Sequence, residues 1–306
     1  MLTAPDHKLG AVFLRGINML FDAHTHLNEE RYTDTERAEL AAEIEQSPVD
    51  YILDAGSCFS DIEQAIKDAE KYPWCYASAG LHPEEVGDMT EEKMEYLKEL
   101  ALHDKVRAIG EIGLDYYYDD GVPREEQRKW FRRQIQLANE LKMPIMIHSR
   151  EADLDTLTIL KEEGAFSDER KSWFPKRPGA VDEGANEVVM VPDARVLMHC
   201  FSYSAETAAE YVKLGGTISI CGPVTFKSNK KTRRVVENIP IEFLTVETDA
   251  PYLAPEPMRG KPNKSPYVEY TCRKVAEIKG ITYEEAAAIT KANAMRFYNV
   301  PNGDRR

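Results

Sequence analysis

The sequence lacks the features that mark membrane proteins, disulfide-stabilised secreted proteins and dedicated nucleic-acid-binding proteins. The apolar run at residues 11–14 is too short for the core of a signal peptide or for a membrane span. The five cysteines are an odd number without a CxxC pair, which predicts reduced thiols in a cytoplasmic protein. The net charge of −14 gives no overall basic surface for nucleic acid. Nothing indicates an obligate protein partner or a membrane contact.

The sequence also lacks internal repeats and linkers rich in proline or serine, which favours a single domain. Its 306 residues, 42% hydrophobic and 30% charged, suit one globular α/β barrel. Residues 1–18 precede the first strand pattern and are predicted to be an N-terminal extension without a role in the fold. The barrel is predicted over residues 19–306, with an irregular insertion loop at about 164–192 that is rich in proline and glycine.

Short apolar segments rich in β-branched residues alternate with helical patterns, which is typical of βαβ units and a parallel sheet. Thr282 and Glu285 form a capping-box pattern that predicts the start of the last helix. Eight strands that alternate with helices predict a (β/α)₈ TIM barrel, with an open doubly wound sheet as the alternative. The predicted strands are 19–23, 51–55, 74–79, 106–109, 144–147, 195–198, 217–221 and 243–247. The predicted helices are 35–46, 59–71, 91–103, 125–141, 153–163, 205–214, about 231–238, 267–279 and 283–297.

Side chains that bind metals follow five of these strands. In a barrel, the carboxyl ends of the strands converge on one mouth, so these side chains are expected to meet there. Four imidazoles and two carboxylates are enough for two divalent ions with one bridging carboxylate, which predicts a metal-dependent hydrolase. The candidate ligands are His24, His26, Glu111, His148, His199 and Asp249.

The placement of the histidines supports a common site. Five of the seven lie just past a predicted strand, and only His7 and His103 do not. Mixed imidazole and carboxylate ligands suit Zn²⁺ or Mn²⁺ better than an all-oxygen Mg²⁺ site. Cys200 follows His199, but successive strand residues point to opposite faces, so we expect no catalytic cysteine.

These ligands lie in longer motifs. The motifs are Phe21-Asp22-Ala23-His24-Thr25-His26-Leu27, Gly80-Leu81-His82-Pro83, Ala108-Ile109-Gly110-Glu111-Ile112-Gly113-Leu114-Asp115-Tyr116, Pro144-Ile145-Met146-Ile147-His148-Ser149-Arg150, Met198-His199-Cys200-Phe201, Glu247-Thr248-Asp249-Ala250-Pro251-Tyr252-Leu253 and Arg259-Gly260-Lys261-Pro262-Asn263. Together they resemble the motifs of the TatD family of metal-dependent deoxyribonucleases, within the amidohydrolase-like barrel superfamily. The resemblance runs from Met19 to about Tyr298.

The resemblance implies a TIM barrel that holds two divalent ions, Mg²⁺ in most nucleases of the family. It also implies that Asp249 orients or deprotonates the attacking water, beside Glu111 as the second catalytic carboxylate. His82 and Glu247 match further family positions in or near the site and are predicted to contact substrate. The implied ligand sets are His24, His26 and Asp249 for one ion, His148 and His199 for the other, and Glu111 bridging both.

Local features suggest how an acidic protein could bind DNA. The basic segment from Lys227 to Arg234 follows the seventh strand, and Arg259 follows the eighth; barrel phosphate sites are commonly built there. Tyr116, the first of three consecutive tyrosines after the fourth strand, could stack on a nucleobase. Arg150 could contact phosphate, and a structural salt bridge is the alternative.

Three functions are compatible with these motifs. The first, implied by the resemblance, is a 3′–5′ exonuclease that acts on the ends of single-stranded DNA. The second is a D-aminoacyl-tRNA deacylase or another amide or ester hydrolase of the same superfamily. The third is a non-catalytic metal-binding scaffold, which the complete set of six ligands argues against.

Overall fold

Eight parallel strands curl into a barrel in the computed structural model, which describes residues 20–182 and 187–301. The predicted extension at residues 1–18 lies outside the described residues. The strands formed by the described residues are β1 (Leu20–Thr25), β2 (Val49–Ala55), β3 (Cys75–Ala79), β4 (Val106–Asp115), β5 (Ile145–Arg150), β6 (Arg177–Asp182), β7 (Glu187–Val191), β8 (Val196–Met198), β9 (Thr217–Ile220) and β10 (Leu244–Val246). The barrel order is β1-β2-β3-β4-β5-β8-β9-β10, which confirms the predicted TIM barrel.

Helices lie between the strands at almost the predicted positions. They are α1 (Asp34–Glu45), α2 (Phe59–Lys71), α3 (Glu91–Ala101), α4 (Arg124–Leu141), α5 (Asp153–Glu162), α6 (Asp168–Ser172), α7 (Ala205–Lys213), α8 (Lys230–Asn238), α9 (Val268–Lys279) and α10 (Tyr283–Phe297). The predicted capping box is confirmed, because Thr282 accepts from the Glu285 amide and Glu285 bonds back to the Thr282 amide. No helix of the described residues is long and apolar enough to cross a membrane.

The strands are buried on both faces, which explains why they read as continuous apolar segments. One face packs against the ring of helices, and α4 contributes Trp130, Phe131 and Ile135 to that layer. At the end of α10, the Tyr298 ring stacks on Phe21 with centroids 5.7 Å apart. Its hydroxyl donates to a carbonyl of β1 at 2.8 Å. The last helix therefore anchors the first strand.

Side chains as well as main-chain bonds join β1 to the end of β10. The Asp22 carboxylate accepts from the Thr248 amide at 2.8 Å and from the Thr248 hydroxyl at 2.6 Å. Directly above this contact, the Asp249 amide donates to the His24 carbonyl at 2.9 Å. This seam brings the ends of the first and last barrel strands together, and two candidate metal ligands lie on it.

The stretch predicted as an irregular loop is partly regular. It contains α6 and an antiparallel hairpin formed by β6 and β7. The fully buried Arg170 of α6 donates to the carbonyls of Ala194 at 2.9 Å and Met143 at 2.7 Å, and to the Asn139 side chain at 2.7 Å. Both carbonyls precede barrel strands, so the insertion covers the end of the barrel opposite the mouth.

We predict that Arg170→Met lowers the free energy of unfolding by roughly 2–4 kcal/mol, measured by urea denaturation. One buried and two partly buried acceptors would lose their donor. Each unsatisfied buried acceptor costs about 1–3 kcal/mol, partly offset because no guanidinium is desolvated. Lys176→Met, an exposed change in the same insertion, should stay within about 0.5 kcal/mol of wild type. An Arg170→Met protein as stable as wild type would show that this guanidinium does not hold the insertion.

Candidate metal centre

Four side chains meet at the carboxyl ends of β1, β4 and β10. The Nε2 atoms of His24 and His26 are 3.0 Å apart. Asp249 Oδ1 lies 3.6 Å and 3.5 Å from these two nitrogens, and Glu111 Oε2 lies 3.5 Å and 4.0 Å from them. Ligand atoms around one tetrahedral ion at about 2.0–2.1 Å are separated by roughly 3.3 Å. The four side chains could therefore hold one ion.

The hydrogen bonds of the two histidines fit a metal. His26 Nδ1 lies 3.0 Å from the Ala55 carbonyl, which can only accept, so this nitrogen carries a proton. His24 Nδ1 lies 3.2 Å from the sulfur of Met146, a weak acceptor. If both rings are neutral, their Nε2 lone pairs face each other across 3.0 Å, and either a shared proton or a bound metal ion would relieve the repulsion.

A second group of side chains surrounds the other oxygen of Glu111. Glu111 Oε1 lies 2.7 Å from His148 Nδ1 and 3.2 Å from His199 Nε2. His82 Nε2 lies further away, at 4.0 Å from the same oxygen. These rings come from the end of β5 and from the segments after β8 and β3. The group could hold a second ion.

Glu111 lies between the two groups, with one carboxylate oxygen facing each. It projects from β4, which continues past the site to Asp115. Gly113 permits this path, because a Cβ at its position would lie 1.9 Å from the His148 carbonyl oxygen. A carboxylate whose oxygens face two ligand sets is suited to bridge two ions.

Carboxylates favour positive charge on three of the surrounding rings, those of His26, His148 and His199, whereas burial lowers the pKa values of His24 and His82. Burial alone would lower the pKa of His26, but the hydrogen bond and charge of Asp249 outweigh it and raise the pKa to about 9. Burial opposes protonation of His148 in the same way, and Asp115 and Glu111 raise its pKa to about 9. The site therefore attracts positive charge, which a divalent ion would supply in place of protons.

Two further carboxylates orient the histidines. Asp115 Oδ2 lies 3.1 Å from His148 Nε2, which leaves Nδ1 for a metal. Glu247 Oε1 lies 2.9 Å from His199 Nδ1, and the same oxygen accepts from the Cys200 amide at 2.6 Å. The prediction that Glu247 contacts substrate is wrong, because its side chain is completely buried beneath His199. The orienting role of Asp115 was missed, although it stands four residues after Glu111 and therefore on the same side of the strand.

The mouth of the barrel is an open cavity of about 410 Å³ above this centre. Among the other predicted substrate contacts, His82 and Arg150 line it. Its described lining otherwise carries many acidic and few apolar groups. The lining residues are His26, Asn28, Glu29, Ser57, Asp61, His82, Glu84, Glu85, Glu111, Asp115, Tyr118, His148, Arg150, His199, Asp249 and Tyr252.

The structure contradicts the stacking role predicted for Tyr116. Its ring is buried under the Arg124 guanidinium, 4.3 Å from the ring centroid, and its hydroxyl donates to Asp155 at 2.7 Å. Tyr118 lines the cavity instead. Lys227 and Arg259 are exposed on the segments after β9 and β10, outside the cavity lining, and their predicted contacts with substrate stay predictions.

Comparison with known proteins relates the chain to one family. A family model described as TatD related DNase matches residues 21–299. The chain is 43% identical over 282 residues to an uncharacterized metal-dependent hydrolase of Bacillus subtilis, YabD, with 92% of this chain and 100% of that one covered. It is 30% identical over 286 residues to the 3′-5′ ssDNA/RNA exonuclease TatD of Salmonella typhimurium, with 92% and 99% covered. The crystal structure of YJJV, a TatD homolog from Escherichia coli K12, has a TM-score of 0.78 at 26% identity and covers 92% of this chain and 99% of that one.

Metal analysis of variants tests the two ligand groups separately. We expect the wild-type protein, dialysed against Mn²⁺ or Zn²⁺, to bind two equivalents, as measured by inductively coupled plasma mass spectrometry. His26→Ala and His148→Ala should each lose about one equivalent, and Glu111→Ala should weaken both sites because it faces both groups. His103→Ala changes a histidine far from the mouth and should keep two. A wild-type protein that binds only one equivalent would contradict the two-site interpretation.

Proposed function

The chain belongs to the TatD family of metal-dependent hydrolases, and from this premise we propose that it is a metal-dependent deoxyribonuclease that removes nucleotides from the 3′ ends of single strands. One observation carries the proposal: the two oxygens of Glu111 face two ligand groups at the floor of an open cavity. Such paired sites are typical of enzymes that hydrolyse phosphodiesters. The name of the Salmonella relative supports the choice of bond and polarity.

We assign His24, His26 and Asp249 to one ion and His148 and His199 to the other, with Glu111 shared. When bound, the two ions would neutralise the phosphodiester charge and lower the pKa of a water molecule to near neutrality. Mixed nitrogen and oxygen ligands suit Zn²⁺ or Mn²⁺, and Mg²⁺ is the third candidate.

The protein's own residues would take the proton from the attacking water, hold the histidine ligands in place and contact the phosphate. The Asp249 side chain is 14% exposed and faces the cavity, so it is the carboxylate placed to take the proton from the attacking water. Glu247 and Asp115 hold the rings of His199 and His148 in place from behind. Arg150, on the cavity wall, is placed to contact a phosphate oxygen.

A second candidate is hydrolysis of an aminoacyl ester on tRNA. Glu29, Asp61, Glu84 and Glu85 line the cavity, and this acidic wall would favour a substrate that carries an amino group. Among the described lining residues other than histidine, Arg150 is the one cation. Both candidates use the same centre and differ in the bond that is broken.

Digestion of end-labelled single-stranded DNA tests the proposal directly. The metal-free protein is resupplied with Mg²⁺, Mn²⁺ or Zn²⁺, and stepwise shortening from the 3′ end is expected only with metal. Asp249→Asn should lower the rate at least about 100-fold, because loss of a positioned proton acceptor costs about 10²–10⁴. Glu111→Gln should do the same while both variants keep the wild-type circular dichroism spectrum.

Asp104→Asn is the matched control, because Asp104 is exposed and lies before β4, away from the mouth. It should digest at the wild-type rate. Near-full activity of Asp249→Asn would show that another group takes the proton. No digestion with any metal, together with release of amino acid from aminoacyl-tRNA, would favour the second candidate.

A further inference from the structure

An exposed aromatic ring stands at the edge of the cavity, beside the first ligand group. Tyr252 follows Asp249 by three residues and lines the cavity, and 47% of its surface is exposed. Its ring lies edge-on to His26, with centroids 6.1 Å apart and an interplanar angle of 74°. A group that contacts this ring would therefore lie next to the metal centre.

Polar contacts fix the orientation of this ring. The Tyr252 hydroxyl donates to Glu29 Oε2 at 2.9 Å and accepts from Arg31 Nη2 at 2.9 Å. Arg31 in turn holds the Glu29 carboxylate through two bonds of 2.9 Å. A tyrosine has only two rotatable side-chain bonds, so a ring held by its hydroxyl presents a preorganised surface. The hydroxyl is occupied and the Arg31 guanidinium lies 5.6 Å from the ring centroid, so the exposed part of the ring is what remains for a ligand.

The wall contributed by β4 and β5 carries a second aromatic group. Tyr118 lines the cavity, and the Arg150 guanidinium lies 5.4 Å from its ring centroid and 3.6 Å from that of Tyr117. Tyr117, Tyr118, Tyr252 and its neighbour Leu253 are large apolar side chains between 43% and 50% exposed. Exposed apolar side chains grouped around a cavity are typical of a ligand-binding site.

We propose that Tyr252 is the stacking surface for the base of the terminal nucleotide, a subsite that rests on the proposed nuclease function. A planar base on this ring would lie beside His26 of the first ligand group, in the cavity that Arg150 also lines. Stacking accepts every base, because each has an aromatic face, so the subsite would bind strands without sequence preference. The Glu29 and Arg31 side chains act as positioning residues for the ring.

The test measures binding rather than cleavage, so it does not depend on turnover. The metal-loaded protein is titrated into two 5′-labelled single strands whose last linkage carries a methylene in place of the bridging oxygen. One strand ends in a normal nucleotide and the other in an abasic one, and fluorescence anisotropy gives each Kd. Wild type should bind the strand with the terminal base about 5- to 150-fold more tightly, as expected for one base–aromatic stack.

Variants assign this preference to the ring. Tyr252→Ala should bind both strands equally, with no further loss on the abasic strand. Tyr252→Phe and Tyr252→Trp keep an aromatic face and should keep most of the preference, which separates stacking from the hydroxyl contacts. Tyr96→Ala, an exposed tyrosine on α3 that is absent from the cavity lining, should behave as wild type.

The results distinguish failure of the Tyr252 subsite from failure of the proposed nuclease function. A Tyr252→Ala protein that still prefers the terminal base would overturn the subsite. Preference that depends on Tyr252, without digestion of normal DNA, would keep the subsite and reject the nuclease. No binding of either strand would reject both.

Discussion

The seam between β1 and β10 is the contact on which the candidate site depends. Asp22 of the first strand binds Thr248. The proposed ligand Asp249 directly follows Thr248, and the proposed ligand His24 lies two residues after Asp22. Burial raises the pKa of Asp22 to about 7, even though its bonds from Thr248 oppose the shift. Burial of the Asp22 carboxyl group between the first and last barrel strands is therefore unfavourable for its charged form. The same contact holds the side chains of His24 and Asp249 next to each other, although these residues are 225 positions apart in the chain.

Most of the fold could be predicted because buried parallel strands have a strong sequence signal. The eight barrel strands are largely apolar on both faces, so short apolar runs rich in β-branched residues between helical patterns located them. The β6–β7 hairpin was missed for the opposite reason. Pro178 and Gly179 break the pattern of β6, and the register shifts between Pro178 and Val181. A two-stranded hairpin is marginally stable alone, and here contacts such as the buried Arg170 stabilise the insertion, which no local pattern reveals.

Site residues could be predicted where a strand fixes the direction of the side chain. Residues on the loops after the strands were harder to predict. The six proposed ligands lie on barrel strands or directly after them, and the structure brings them together as barrel geometry requires. Tyr116 and Tyr118 both follow β4, but only the turn of the chain after the strand decides which one is buried and which faces the cavity. Tyr252 is in a similar position, because its direction depends on Glu29 and Arg31, far away in sequence. Glu247 lies just past a strand, but its buried side chain points beneath His199 and is absent from the cavity lining, a direction that the sequence does not reveal.

The hairpin of the insertion lies at the end of the barrel opposite the mouth, with Val188 and Met190 about half exposed. The candidate metal centre and the insertion therefore lie at opposite ends of the barrel. The insertion is therefore a suitable place to attach another group. A label, a surface linker or a fused partner attached through the insertion would leave the mouth facing solution, so that immobilised molecules would all present the same face to substrate.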